Sequence, residues 1–159
     1  MKIIEYEEKY KENVKDLLVE LQEYIVDIDR ERYNILTDEY REKYFARTIA
    51  DVEKYEGKIF LVVESGNVKG LIIGLINNAE EKTYDFKAPK RGRITELVVS
   101  KEYRGRGVGK LLMQTMEDYF KSVGCKGILI DVFAYNTNAY MIYKSLGYFD
   151  RSIEMLKIL

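Results

Sequence analysis

The stretch that decides the fold runs from a predicted strand into a predicted helix: Ile94-Thr95-Glu96-Leu97-Val98-Val99-Ser100-Lys101-Glu102-Tyr103-Arg104-Gly105-Arg106-Gly107-Val108-Gly109-Lys110. Glycines at three alternate positions favour a loop whose backbone adopts positive φ or is closely approached by another group. The first amides of the following helix lack acceptors and carry the positive end of the helix dipole. The pattern therefore predicts an anion site, best suited to phosphate. Arg104, Arg106 and Lys110 would add positive charge to it.

Two common phosphate motifs do not fit this loop. A P-loop needs glycine five residues before the Gly-Lys pair and Ser or Thr after the lysine, where this chain has Arg104 and Leu111. The dinucleotide motif G-x-G-x-x-G fails because Gly109 comes one residue early. The pattern R-x-x-G-x-G does fit, with Arg104, Gly107 and Gly109. It resembles the pyrophosphate motif of the GCN5-related N-acetyltransferase superfamily, whose donor is acetyl-coenzyme A. An ordinary glycine-rich loop is the alternative.

Composition limits the function classes. The chain has 159 residues, 47% of them hydrophobic and 33% charged, which suits one domain over residues 1–159 with a sizeable core. A net charge of −1 argues against general nucleic-acid binding. No apolar run approaches the roughly 20 residues that span a bilayer. The first residues lack a signal-peptide core, so we predict a cytoplasmic protein with no membrane or nucleic-acid partner.

The chain has no histidine and one cysteine, Cys125. Ser-His-Asp and Cys-His catalysis are therefore impossible, as are an internal disulfide and a cysteine metal cluster. We predict no metal. Proton chemistry must use carboxylates, tyrosines, lysines or water.

Apolar periodicity predicts the element order strand, two helices, three strands, helix, strand, helix, strand. The segments are a strand at 2–6, helices from 7 and from 37, strands at 58–64, 68–76 and 93–100, a helix after the glycines, a strand at 128–133, a helix at 136–146, and one or two strands in 148–159. Residues 78–92 form a polar loop that we expect to be exposed and mobile. Strand alternation predicts Ile94, Glu96 and Val98 on one face.

A second motif lies near the C-terminus. Residues 136–148 are similar to the superfamily signature Asn-x-x-Ala-x-x-x-Tyr-x-x-x-Gly-Phe, matched by Asn136, Ala139, Tyr143 and Gly147, with Tyr148 in place of Phe. The resemblance covers essentially the whole chain. It implies an α/β fold: a mixed, mostly antiparallel central sheet with a parallel splayed strand pair and about four helices.

The resemblance also implies roles. Asn136 would hydrogen-bond the pantetheine arm of acetyl-coenzyme A, and Tyr143 would protonate the departing thiolate as general acid. Core packing is the alternative for Tyr143, because the chain has 14 tyrosines. The residues that the resemblance assigns to acetyl-coenzyme A are Leu97, Val98, Val99, Arg104, Gly105, Arg106, Gly107, Val108, Gly109, Lys110, Asn136, Ala139 and Tyr143.

Glu96 is the predicted general base, since a glutamate within a central strand is expensive to bury without a partner or a role. A salt bridge to Arg93 or Lys126 is the alternative for Glu96. Asp131 or a water chain could also serve as base. Cys125 follows a helix-ending glycine and is predicted to be structural, which favours direct transfer in a ternary complex.

The sequence predicts only the chemical class of the acetyl acceptor. In this architecture the first two helices and the loop between them form much of the acceptor wall, and here that loop carries Asp27, Asp29 and Glu31. Such acidity suits a cationic amine: a polyamine, an aminoglycoside, a lysine side chain or a protein N-terminus. A solvated charged loop is the alternative, and residues 78–92 could also line the site. A non-catalytic acyl-coenzyme A sensor and a structural interaction protein are the rival functions, and a homodimer is left open.

Overall fold

The computed structural model describes residues 1–77, 84 and 87–159. In this part of the chain five strands form one sheet, in the order β1-β2-β3-β4-β5. Neighbouring strands are antiparallel except β4 and β5, which are parallel. The strands are β1 (Lys2–Glu5), β2 (Lys58–Glu64), β3 (Asn67–Asn77), β4 (Arg91–Val99) and β5 (Ile128–Ile130).

Helices cover both faces of the sheet. Apolar residues of α1 and α2 pack on one face, and those of α3 and α4 pack on the other. Each amphipathic helix turns its apolar stripe to the sheet because burying that stripe is the main favourable contribution to folding. The helices are α1 (Lys11–Ile28), α2 (Tyr40–Lys54), α3 (Val108–Ser122) and α4 (Thr137–Ser145), with short 3₁₀ turns at Glu8–Tyr10 and Lys101–Tyr103.

Two strand glycines allow α3 to lie close to the sheet. A Cβ on Gly74 would lie 2.4 Å from the Met116 sulfur, and one on Gly92 would lie 2.4 Å from the Phe120 ring. The glycines thus make room for two of the largest core side chains of α3.

Strand β4 contains a bulge at Thr95. Ile73 of β3 pairs with Glu96 and the next residue, Gly74, pairs with Ile94, so Thr95 is the extra residue. Ile94 consequently packs on the α3 side, whereas Glu96 and Val98 face α1 and α2. The predicted common face for Ile94, Glu96 and Val98 was therefore wrong, because one inserted residue reverses the alternation.

The parallel pair separates shortly after it begins. Strands β4 and β5 are paired only at residues 92–94 and 128–130, although β4 continues to Val99. Within the described residues, the β5-facing edge of β4 from 95 onward has no strand partner. The predicted fold class, a mixed sheet with a splayed parallel pair and four helices, is confirmed.

Three other expectations come out differently. Residues 148–159 contain no strand, and Phe149, Ile153 and Met155 are at least 80% exposed. The last parallel strand ends at Ile130 instead of 133. Of the loop expected to be exposed and mobile at 78–92, residues 78–83, 85 and 86 lie outside the described residues, Ala88 is buried, and the last two residues belong to β4. Among the helices that the structure describes, none combines the length and the apolarity needed to cross a bilayer.

Candidate active site

The glycine loop leads into α3 through a left-handed residue. Gly105 and Gly107 have φ of 74° and 79°, and Gly107 caps the helix. No side chain caps α3, and the first helical hydrogen bond runs from the Leu111 amide to the Gly107 carbonyl at 3.0 Å. Within the described residues, nothing accepts from the amides of Val108, Gly109 and Lys110. These donors, at the positive end of the helix dipole, could hold a diphosphate.

The three basic residues of the loop differ in what they contact. The Arg104 Nε donates to the Val99 carbonyl at 2.9 Å, and its Nη2 lies 3.0 Å from Glu20 of α1. Arg106 lies over the Tyr103 ring, 5.0 Å from its centroid. Lys110 is exposed. Arg104 therefore holds the loop against the sheet and α1, which leaves Arg106 and Lys110 as the cations best able to meet an anion.

The start of α4 lies beside the C-terminal half of α1. The Asn136 side-chain oxygen accepts from the Ala139 amide and from the Tyr24 hydroxyl, both at 3.2 Å. It thus caps α4 and joins it to α1. No hydrogen bond from the Asn136 side-chain nitrogen is present among the described residues. That nitrogen stays available to a ligand carbonyl.

Tyr143 lies on the α3 side of the sheet. Its ring packs against the cluster formed by α3 and the sheet, 6.0 Å from the Tyr148 ring centroid. Burial raises the pKa of Tyr143 to about 12, so the phenol keeps its proton at neutral pH. Among the described residues its hydroxyl has no hydrogen-bond partner. A protonated, unpaired phenol is suited to donate a proton.

Glu96 lies on the opposite face. It accepts a hydrogen bond from the Tyr44 hydroxyl of α2, and Arg47 lies over the Tyr44 ring at 4.6 Å. Burial raises the pKa of Glu96, while the Tyr44 hydrogen bond and the Arg47 charge act in the opposite direction. The alternative salt bridges are not observed, since Arg93 pairs with Asp131. A carboxylate with a raised pKa is suited to accept a proton near neutral pH.

A cavity of about 380 Å³ opens beside Glu96. One wall is α2, which contributes Tyr44, Arg47 and Asp51 at helical spacing, and the other wall is β3 with the bulge of β4. Burial and the charge of Glu96 raise the pKa of Tyr44, so its hydroxyl stays a donor. The cavity therefore joins the predicted base to a set of polar side chains.

Sequence reasoning missed the α2 residues around Glu96. Tyr44 lies on the packed face of α2, but the sequence gives no sign of its partner, and Arg47 and Asp51 belong to no motif. The sequence predicts the acceptor wall in the acidic loop between α1 and α2, although Asp27 lies within α1. There Asp29 accepts from the Asn34 amide at 2.7 Å, which helps to lower the pKa of Asp29 to about 2, and Glu31 accepts from the Tyr135 hydroxyl.

No metal centre is evident in the part of the chain that the structure describes. None of its acidic and cysteine side chains gather in groups of three or more that could hold a metal ion. Cys125 is unpaired and half-buried, and burial raises the pKa of its thiol. A thiol with a raised pKa is a poor nucleophile at neutral pH.

The sequence profile of the acetyltransferase (GNAT) family matches residues 20–148. The chain belongs to this family. The match includes both the glycine loop and the Asn136 to Tyr148 signature, so the predicted family is confirmed. It is an acyltransferase family, and the prediction of an acyltransferase enzyme is confirmed with it.

Curated relatives include sugar-phosphate acetyltransferases. Glucosamine 6-phosphate N-acetyltransferase of Arabidopsis thaliana is 26% identical over 71% of this chain and 74% of its own length. A probable glucosamine 6-phosphate N-acetyltransferase of Drosophila melanogaster is 30% identical over 60% of this chain. The chain spans only 42% of the fly protein.

Solved structures share the fold over the whole chain. A Bacillus halodurans protein, BH1408, superposes with a TM-score of 0.87 at 22% identity, and the match covers 100% of both chains. An aminoglycoside N-acetyltransferase, AAC(6')-Iy, solved in complex with CoA, has a TM-score of 0.72 at 14% identity and covers 99% of this chain and 98% of its own. These likenesses support the GNAT fold.

Proposed function

We propose that this GNAT domain is an acetyl-coenzyme A-dependent N-acetyltransferase that acts on a primary amine by direct transfer in a ternary complex. One observation carries the proposal. The uncapped start of α3, with its left-handed Gly107, adjoins the end of β4, where the strand has lost its parallel partner. An anion cradle and an open strand edge are the two features that a donor with a diphosphate and an amide-bearing arm requires.

Donor binding falls mainly to the backbone. The amides of residues 105–110 would hold the diphosphate, and the open edge of β4 at Leu97, Val98 and Val99 would hydrogen-bond the pantetheine arm. Asn136 would add a side-chain donor, and Ala139 would keep the first turn of α4 small. When bound, acetyl-coenzyme A supplies an activated acetyl thioester.

Two side chains would move the protons. Glu96 accepts a proton from the incoming ammonium, which leaves a neutral amine that can attack the thioester carbonyl carbon. A C–N bond then forms, the C–S bond breaks, and Tyr143 donates its phenolic proton to the departing sulfur. The tyrosinate recovers a proton from the new amide nitrogen, and Glu96 releases its proton to solvent. The balance is one acetyl group transferred, one thiol formed and one proton released.

Two features support direct transfer. Cys125 keeps its proton because burial raises the pKa of its thiol, so an acyl-cysteine route lacks an activated nucleophile. Glu96 and Tyr143 lie on opposite faces of the sheet, and Glu96 follows the last β4 residue that pairs with β5. Such an arrangement lets amine and thioester meet between a base and an acid.

The acceptor is proposed as a primary amine. Related proteins are named for glucosamine 6-phosphate and for aminoglycosides, both of which carry amino groups. Glu96 would accept a proton from the ammonium group of any such acceptor. A cytoplasmic location and a homodimer stay predictions from the sequence.

The test is a thiol-release assay with acetyl-coenzyme A and a panel of amines, beside calorimetry with coenzyme A. We expect micromolar coenzyme A binding and thiol release with at least one amine. Absence of coenzyme A binding would overturn the proposal. Binding without release from any amine would instead point to a non-catalytic sensor.

A further inference from the structure

The cavity beside Glu96 carries charges that the proton-transfer steps leave unused. Arg47 and Asp51 lie one helical turn apart on α2, and both line the cavity. In the described part of the chain, neither side chain has an ion-pair partner, whereas Arg41, Arg93 and Arg104 each pair with a carboxylate. The cavity thus holds one cation, Arg47, that makes no ion-pair contact among the described residues and shares the lining with the predicted base.

Arg47 is held in position although it is exposed. Its guanidinium lies 4.6 Å from the centroid of the Tyr44 ring, and that ring in turn stacks on Tyr40 at 4.7 Å. Cation–π contact favours this arrangement. Because Tyr44 also donates to Glu96, one aromatic side chain fixes both the carboxylate and the guanidinium.

The order of charges along the cavity affects which amines it can bind. Along α2 the cavity lining runs from Tyr44, which binds Glu96, to Arg47 and then to Asp51, so in helix order the guanidinium lies between the two carboxylates. An ammonium at Glu96 therefore has a cation as its next neighbour. A polyamine would set its second ammonium near Arg47, whereas a ligand with an anionic group there gains a charge-assisted hydrogen bond.

From this arrangement we infer that the cavity between α2 and the β4 bulge is the acceptor site, and that it selects a small amine bearing a nearby carboxylate or phosphate, with Arg47 as the specificity-determining residue. The inference rests on the proposed function and narrows its acceptor. It places the acceptor away from the acidic loop between α1 and α2, whose Asp29 and Glu31 are hydrogen-bonded within the protein.

The test compares matched amines that differ only in the anionic group. Suitable pairs are β-alanine with β-alaninamide and glucosamine 6-phosphate with glucosamine, and 1,4-diaminobutane serves as a dication. In the wild type we expect a higher kcat/KM for the anionic member of at least one pair. Arg47→Gln should reduce that preference about tenfold or more, because the guanidinium contact is lost. Arg47→Lys should keep part of it.

Arg30→Gln is the matched control. Arg30 also lies 4.6 Å from a tyrosine ring centroid, that of Tyr135, but it is not among the residues that line the cavity. Its substitution removes an equivalent cation–π contact and should leave the preference unchanged. Thermal melts and coenzyme A affinity should match the wild type in both glutamine variants, which separates a local effect from misfolding.

Two results would overturn the inference while leaving the proposed function intact. One is thiol release only from the neutral or dicationic amines. The other is an anionic preference that Arg47→Gln and Arg30→Gln affect equally. Loss of coenzyme A binding in the wild type would overturn both proposals.

Discussion

The glycine loop at the start of α3 is formed mainly by backbone groups, whereas the cavity beside Glu96 is formed mainly by side chains. The loop depends on main-chain amides and on backbone angles that glycine adopts easily, so its chemistry is encoded within a few consecutive residues. The cavity depends on side chains from α2, β3 and β4, brought together only by folding. The first region suits a ligand common to a family, and the second can change with each substrate. Variants that disturb one region and spare the other test this division.

The largest expected effect is on the loop. Gly107→Asp adds a carboxylate beside the proposed diphosphate site, where like charges repel, at a backbone φ of 79°. We expect coenzyme A affinity in calorimetry to fall about 100-fold, or on the order of 3 kcal/mol. Gly66→Asp is the control, because Gly66 has the same φ of 79° in the β2–β3 turn. Equal affinities in the two variants would refute the cradle.

The second largest effect is expected at Glu96, whose carboxylate lines the cavity. Glu96→Gln should lower kcat about 100-fold or more while coenzyme A affinity stays near that of the wild type, because only base catalysis is removed. The base form of Glu96 grows as pH rises through its raised pKa, so wild-type kcat/KM should rise with pH there and the variant should lose that limb. An unchanged pH profile would remove Glu96 from the mechanism.

The Glu96→Gln substitution can also be tested through protein stability, without an activity assay. A raised carboxyl pKa means that folding favours the protonated form, so this contribution to stability is present at low pH and is lost as pH rises through the folded-state pKa. The wild type should therefore lose stability relative to Glu96→Gln over that range. Chemical denaturation at several pH values measures the difference.

A smaller effect is expected at the acid. Tyr143→Phe should reduce kcat about 10- to 100-fold with little change in coenzyme A affinity, because the ring keeps its packing and only the proton donor is lost. Tyr148→Phe is the control. Its ring is a close neighbour of Tyr143, but its hydroxyl bonds Glu117. Comparable losses in the two variants would indicate packing instead of proton donation.

The smallest effect is expected at Tyr44. Tyr44→Phe removes the hydrogen bond that lowers the pKa of Glu96 and leaves the raising effect of burial. The ascending limb of the kcat/KM profile should shift to higher pH, with a modest loss of rate near neutrality. Coenzyme A affinity should not change. A shift to lower pH, or none, would show that Tyr44 does not position the base.

The contrast between a local loop and a cavity assembled from distant residues also explains which features the sequence predicts. The glycine loop and the Asn136 signature each lie within one short stretch, so the sequence shows the family resemblance, and that resemblance implies the mixed sheet and the strand separation. The bulge at Thr95 depends on register with β3, which alternation within β4 does not reveal. The Tyr44 hydroxyl and Glu96 are 52 positions apart, and only the packing of α2 brings them together. The alternating apolar residues after Tyr148 suggested a strand, yet no sheet partner for them is found among the described residues.

Arg104 has a consequence for kinetics. By joining the last carbonyl of β4 to Glu20 of α1, it fixes the first residue of the glycine loop against the sheet and α1. A preorganised loop loses little conformational entropy when it meets an anion, so anion capture should show no slow ordering phase. Because the Arg104–Glu20 pair is partly exposed and therefore screened by salt, high ionic strength should weaken this constraint on the loop.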